Sequence, residues 1–484
     1  MIHALTAGTK TTVYWEKAED AQGAVYTILA GGRELVRTSS TYAVVDAPKE
    51  GETIDLEILR DGSSIGNTRV TGRAQKRRLS VLDFGAAGDG IKLNTESLQR
   101  AIDACTQGDE LYFPAGTYLT GALRLHSDMT VYLEEGAVLQ GTENPEDYLP
   151  KIPSRFEGTE MMCYQSLLNL GTMDHTGPAN AGRVLIYGHG TISGGGQKLA
   201  LNIIERERAE LKEYIASLGE KVQEYENNNT IPGRPRGRLI NLSNCEDVRI
   251  TGLTLQNGAS WNVHMLYSRG IVTDQCIFRS QNVWNGDGWD PDSSEDCTLF
   301  ACKFFTGDDS VAIKSGKNPE GNRIARPTRH IRIFSCYSEE GLGIAIGSEM
   351  SGGVEDVRIW DCDLEHSLYG VQIKGTKKRG GYVKDVCVMD SRLSRFLVTA
   401  VKYNDDGEGA EHPPVFSGIR LLRDHFSCWA RDYWEKEDHP VTGIELTGFE
   451  EPGCAVQDVE IQSASFQGPQ QMSFRCCDGI RVSQ

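Results

Sequence analysis

Residues 285–317 run NGDGWDPDSSEDCTLFACKFFTGDDSVAIKSGK, and the fold and the chemistry both turn on them. The stretch holds three carboxylates of interest, Asp287, Asp308 and Asp309. Neighbouring acids resist joint ionisation, so one member of such a set keeps a proton near neutral pH while another stays anionic. That division of labour suits bond cleavage by one proton donor and one water activator. On their own, adjacent acids are usually solvated surface, and spacing has to decide.

Four segments superpose without gaps: DGWDPDSS from Asp287, DSVAIKSG from Asp309, LGIAIGSE from Leu342 and YGVQIKGT from Tyr369. Each has a small residue, alternating apolar residues and then a turn. The starts are offset by 22, 33 and 27 residues. A strand pattern recurring at this interval predicts stacked coils, and with strands in the repeat the stack is a parallel β-helix. Equivalent positions on adjacent coils then lie about 4.8 Å apart, which puts Asp309 one rung from Asp287 with Asp308 beside it. In the strands, Val311/Ile313 and Val371/Ile373 form the inward phase, so Lys314, Gln372 and Lys374 are expected on the groove side.

The same stretch, with its flanks, resembles the polygalacturonase family, glycoside hydrolase family 28. The family motifs Asn-Thr-Asp, Gly/Gln-Asp-Asp, Gly-His-Gly and Arg-Ile-Lys correspond in order to Asn285-Gly286-Asp287, Gly307-Asp308-Asp309, Gly341-Leu342-Gly343 and Gln372-Ile373-Lys374. The resemblance runs from about Val81 to Tyr403. It implies a right-handed parallel β-helix and inverting hydrolysis of pectic polysaccharides. Asp308 is then the general acid, and Asp287 and Asp309 hold the attacking water, with acid and base roughly 6.5–9.5 Å apart. It also implies that Lys374 holds a galacturonate carboxylate, with Lys314, Gln372, Tyr403, Trp261 and His264 as further substrate contacts. No cofactor and no metal is expected. Trp261 is expected to stack on a sugar ring and His264 to bond a hydroxyl, set against a purely structural role for the histidine. Leu342 and Gln372 replace the family histidine and arginine, which opens the leaving side to a neutral sugar such as rhamnose. GSEMSGG, DPDSS and IKSGK resemble the bacterial exo-acting branch.

Working outward, residues 1–76 (TTVYWEK, AVYTILAG, TYAVVDA, TIDLEILRDG) alternate in short strands and predict a small β-sandwich resembling fibronectin type III, with no catalytic group. Residues 77–484 are expected to be the β-helix, opened by a helix near Asn94-Thr95 that caps the first coil. Around 198–230 the strand rhythm gives way to LNIIERERAELKEYIASLGEKVQEYE, a helical insertion that could close one end of the groove and favour exo cleavage. GAAGDG lacks the lysine and hydroxyl of a nucleotide loop. Cys276, Cys302, Cys336 and Cys362, followed by Ser391, hold the same place in successive repeats and predict an interior column of reduced side chains.

A net charge of −18 argues against nucleic acid or an anionic membrane as partner, and requires a locally basic site for a pectic oligosaccharide. With no apolar run of membrane length and no basic-then-apolar N-terminus, a cytoplasmic location is expected, or a secreted one if a leader has been removed. Two rival classes stand beside the hydrolase. One is a calcium-dependent lyase, since Asp290–Asp296 looks superficially like a calcium loop. The other is a carbohydrate-binding solenoid without chemistry.

Overall fold

The computed structural model describes residues 1–224, 235–401, 408–432 and 437–484. The chain divides into two compact units, Met1–Arg78 with Gly108–Glu110, and the remainder. In the first unit, strands Ile2–Ala7, Lys10–Trp15 and Tyr42–Asp46 form one antiparallel sheet. Strands Tyr26–Ala30, Arg33–Thr38, Thr53–Arg60 and Ser63–Thr71 form another. Their inward alternation buries Val13, Trp15, Tyr26, Ile28, Leu56 and Ile58 in one core, with Trp15 edge-on to Tyr26 at 5.1 Å.

The second unit is a right-handed parallel β-helix whose coils each contribute a strand to three long sheets, two of eleven strands and one of thirteen among the described residues. One eleven-stranded sheet carries, as consecutive neighbours, Trp289–Asp292, Val311–Ile313, Ile344–Ile346 and Val371–Gly375. Their register pairs Trp289 with Val311, Val311 with Ile344 and Ile344 with Val371, the same offsets of 22, 33 and 27 that align the sequence segments. Val311, Ile313, Ile344, Ile346, Val371 and Ile373 all fall in the central core. Burying each such side chain is worth about 1.5–3 kcal/mol, so a one-residue slip, which would reverse the phase, is strongly opposed. Corners are turned by Asp and Asn residues that tolerate left-handed backbone, among them Asn244, Asn257, Asp361 and Asp390.

The cysteine column lies in the core. Cys276, Cys302, Cys336 and Cys362 are buried free thiols, and Cys276 N–H points at Cys302 Sγ, 3.4 Å away. Burial pushes the Cys302 and Cys362 thiols well up, so they stay protonated. Beside the column, Phe300, Phe334 and Trp360 stack at 4.7 and 4.5 Å.

Helix α1 (Thr95–Ala104) buries Leu98, Ala101 and Ile102 over the first coil. The insertion forms α2 (Gly196–Glu210) and α3 (Lys212–Leu218), starting two residues earlier than expected and breaking at Leu211. Among the described residues, no helix is long and apolar enough to cross a membrane.

Candidate active site

Asp287 precedes the strand Trp289–Asp292, and Asp308 and Asp309 precede Val311–Ile313, so both sets sit at coil corners on adjacent rungs. The corners are rigid. Asp287 O accepts from Asn262 N and Asn262 Nδ2 at 2.9 and 3.0 Å. Asp308 O accepts from Leu342 N and Thr306 Oγ1 at 3.0 and 2.9 Å, and its own Oδ1 accepts from Asp309 N at 3.0 Å. Gly341 is needed here: its φ is 124°, and a Cβ on it would lie 2.2 Å from Thr306 Oγ1.

These corners bring the three acids together, with one oxygen of each within 4.8 Å of one from the other two. Lys314 Nζ lies 3.5 Å from Asp287 Oδ2 and 3.4 Å from Glu349 Oε2, and Lys374 Nζ donates to Asp309 Oδ2 at 3.1 Å. Oδ1 of Asp287 and Oδ1 of Asp309 are buried and have no hydrogen-bond donor among the described residues.

Asp290, fully buried, belongs to the same electrostatic cluster, and neither of its oxygens has a hydrogen-bond partner among the described residues. Five carboxylates (Asp287, Asp290, Asp308, Asp309, Glu349) thus face two ammoniums, and the group approaches neutrality only by keeping protons. Burial and then the charge of Asp309 push Asp308 up to about 6. Burial, then Asp290 and Asp308, push Asp287 well above the carboxylate range. For Lys314 burial disfavours the charge, but Glu349, Asp287 and Asp290 outweigh it and hold the ammonium well above its usual range. The three aspartates are also an oxygen donor set of the kind a divalent cation takes, but lysines already pair with two of them.

Several expected substrate contacts fall elsewhere. Trp261 is only 2% exposed, stacked on Phe156 at 5.5 Å with the Arg238 guanidinium and Lys314 Nζ over its ring, so it offers no face to a sugar. His264 is fully buried beside Asp292, Nε2 to Oδ2 3.3 Å, and burial lowers it to about 4, leaving a neutral structural ring. The hairpin Ile152–Phe156/Thr159–Cys163 causes both corrections, because it lays Arg155 and Phe156 over the outer face of these rungs. Gln372 is also buried, with Oε1 lacking a partner among the described residues. Lys314 and Lys374 face the acids directly. Tyr403 lies outside the described residues. Asp290 and Asp292 belong to a buried strand, not to a calcium loop. Burial works against the Asp292 charge, but Arg155, 2.7 Å away, and His264 more than offset it and hold the carboxyl low.

Asp290, Glu349, Arg155 and Arg236 were missed as site residues. Arg236, fully buried on the return limb of the insertion, donates to Ala259 O, Trp284 O and Asn285 Oδ1 at 3.0, 3.1 and 2.6 Å and fixes the turn that leads into Asp287.

Residues 177–412 match the model for glycosyl hydrolases family 28, and residues 79–136 match one for rhamnogalacturonase A/epimerase, pectate lyase-like. A probable polygalacturonase of Vitis vinifera is 36% identical over 391 residues, 75% of this chain and 72% of that one. The chain belongs to glycosyl hydrolases family 28. It is therefore a glycoside hydrolase. An exo-poly-alpha-D-galacturonosidase of Dickeya chrysanthemi is 26% identical over 77% of this chain and 66% of its own length. Among solved structures, a family 28 exopolygalacturonase of Yersinia enterocolitica covers 99% of this chain and 98% of its own, with a TM-score of 0.80 at 22% identity; that likeness concerns the fold alone. A Thermotoga maritima exopolygalacturonase is 26% identical with a TM-score of 0.67, covering 83% of this chain and 90% of its own.

Proposed function

We propose that this family 28 hydrolase releases a terminal galacturonic acid from pectic oligosaccharides with inversion. The observation that carries the reading is the convergence of Asp287, Asp308 and Asp309 within 4.8 Å, two of them backed by lysines. Asp308, with its carboxyl raised to about 6, gives its proton to the glycosidic oxygen. A water donating to Oδ1 of Asp287 and Oδ1 of Asp309 satisfies both acceptors and attacks the anomeric carbon from the other face. It loses its proton to that pair as the bond forms. Neither carboxylate serves as nucleophile in this reading: each already has its other oxygen on an ammonium, and the two oxygens left without donors suit a shared water. Leu342 in place of the family histidine leaves burial, and the charge of Asp309, to hold up the acid.

Exo action is supported by the names of the Dickeya and Thermotoga relatives. It is supported further by α2, whose Gln197 accepts from Trp284 N at 2.8 Å and ties the insertion to the catalytic coil. The test is incubation with galacturonide, rhamnogalacturonan and methyl-esterified oligosaccharides, with identification of the released sugar. Saturated galacturonic acid released one unit at a time, and a loss of about 10³-fold or more in kcat for Asp308→Asn with binding retained, are expected. Unsaturated products, or no turnover of any pectic substrate by the native protein, would contradict it.

A further inference from the structure

A cavity of about 400 Å³ opens beside the corner that carries Asp308, reaching Gly307 and Gly341 and lined by Gln197, Asn282, Trp284, Glu340, His366 and Arg431. Its volume is within the range of small-ligand sites. Arg431 ends the strand Trp429–Arg431, which pairs with Asp438–Pro440 as a hairpin. Ala430 of that hairpin is fully buried and packs on Leu342 and Leu368, with Tyr369 and Val441 around them. So the position where the family has histidine is an apolar seat for this hairpin, and the next residue along the strand, Arg431, lines the cavity. Where the family has arginine, Gln372 is uncharged and buried.

We infer that Arg431 supplies, from the hairpin, the guanidinium that position 372 lacks, and that this cavity holds a uronate ring of the substrate with its carboxylate on Arg431 and its face on Trp284. The inference rests on the pectic hydrolase reading above. Trp284 is 43% exposed, yet its backbone is fixed at both ends, N–H on Gln197 Oε1 and carbonyl on Arg236 Nη1. The backbone that carries this aromatic ring is therefore held in place before substrate arrives. Among the described residues Arg431 forms an ion pair with Asp438, at 3.8 Å and with both side chains well exposed, a contact weak enough to exchange for a substrate carboxylate. Glu340 in the same lining repels a carboxylate and accepts from hydroxyls, which favours the ring orientation that turns the acid group toward Arg431. A guanidinium forks onto a carboxylate, whereas a methyl ester offers it no charge.

The experiment compares the native enzyme with Arg431→Gln, Arg431→Lys and Trp284→Ala on a galacturonic acid oligosaccharide and on its methyl ester. Arg431→Gln is expected to raise KM about 10–100-fold on the free acid, with little change in kcat and none on the ester. Arg431→Lys should recover part of the loss, and Trp284→Ala should raise KM on both substrates. If Arg431→Gln leaves KM on the free acid and the acid-to-ester ratio unchanged while the native enzyme turns over, the inference is overturned and the function stands. If the native enzyme hydrolyses neither substrate, the functional reading fails and this one with it.

Discussion

At the scale of single residues, the site is a problem in proton counting. Lys314 lies between Asp287 and Glu349 with its ammonium over Trp261, and it lowers the proton affinity of Asp287 and Asp308. Replacing it by methionine keeps the stem on Trp261 and removes the charge. Both carboxyls then hold their protons more firmly, so both limbs of the pH profile of kcat/KM should move to higher pH, by roughly one unit, with kcat lower. A merely structural lysine would reduce activity without moving either limb. The wild-type alkaline limb should fall near the Asp308 value of about 6. The sign for stability is the same: a carboxyl raised in the folded state binds its proton more tightly there than in the unfolded chain. Its contribution is present below the unfolded value and is lost as pH climbs through about 6.

At the scale of elements, the coil is read most clearly where small buried residues stack. The cysteine column continues through Ser391, whose Oγ accepts from Cys362 N at 3.1 Å, to Asp424, whose Oδ1 accepts from Ser391 N at 2.9 Å. Asp424 is fully buried, its Oδ2 has no partner among the described residues, and burial raises its carboxyl well above the usual range. Folding at neutral pH therefore has to protonate or desolvate this acid. Asp424→Asn should raise the denaturation midpoint at pH 7 and leave it nearly unchanged near pH 3, where the acid is protonated in both states; thermal unfolding at the two pH values measures it. Equal effects at both would remove the proton from the explanation. The catalytic register, the thiol column and the capping helix were legible because each is a periodic or local pattern. Arg155 was not, because it meets Asp292 across 137 positions of sequence. Trp261 and His264 were placed in the groove for a related reason. Strand phase tells outward from inward, but it cannot tell whether a remote hairpin covers the outward face.

At the scale of the whole molecule, a chain of net charge −18 sets its catalytic acids among buried cations, with Lys314 and Lys374 on the acids themselves and Arg155, Arg236 and Arg238 buried nearby. The β-helix makes this possible because stacking brings Asp287 and Asp309, 22 positions apart, onto adjacent rungs, and equally brings Lys374 to Asp309 across 65 positions. The central claim is that these acids divide into one proton donor and a pair that holds water. It is tested most directly by following the anomer first released from an α-linked digalacturonide by proton NMR, before mutarotation mixes the signals. The account predicts the β anomer at the earliest time points, as direct attack by water requires. Initial appearance of the α anomer would mean that a carboxylate bonds to the sugar, and would contradict it.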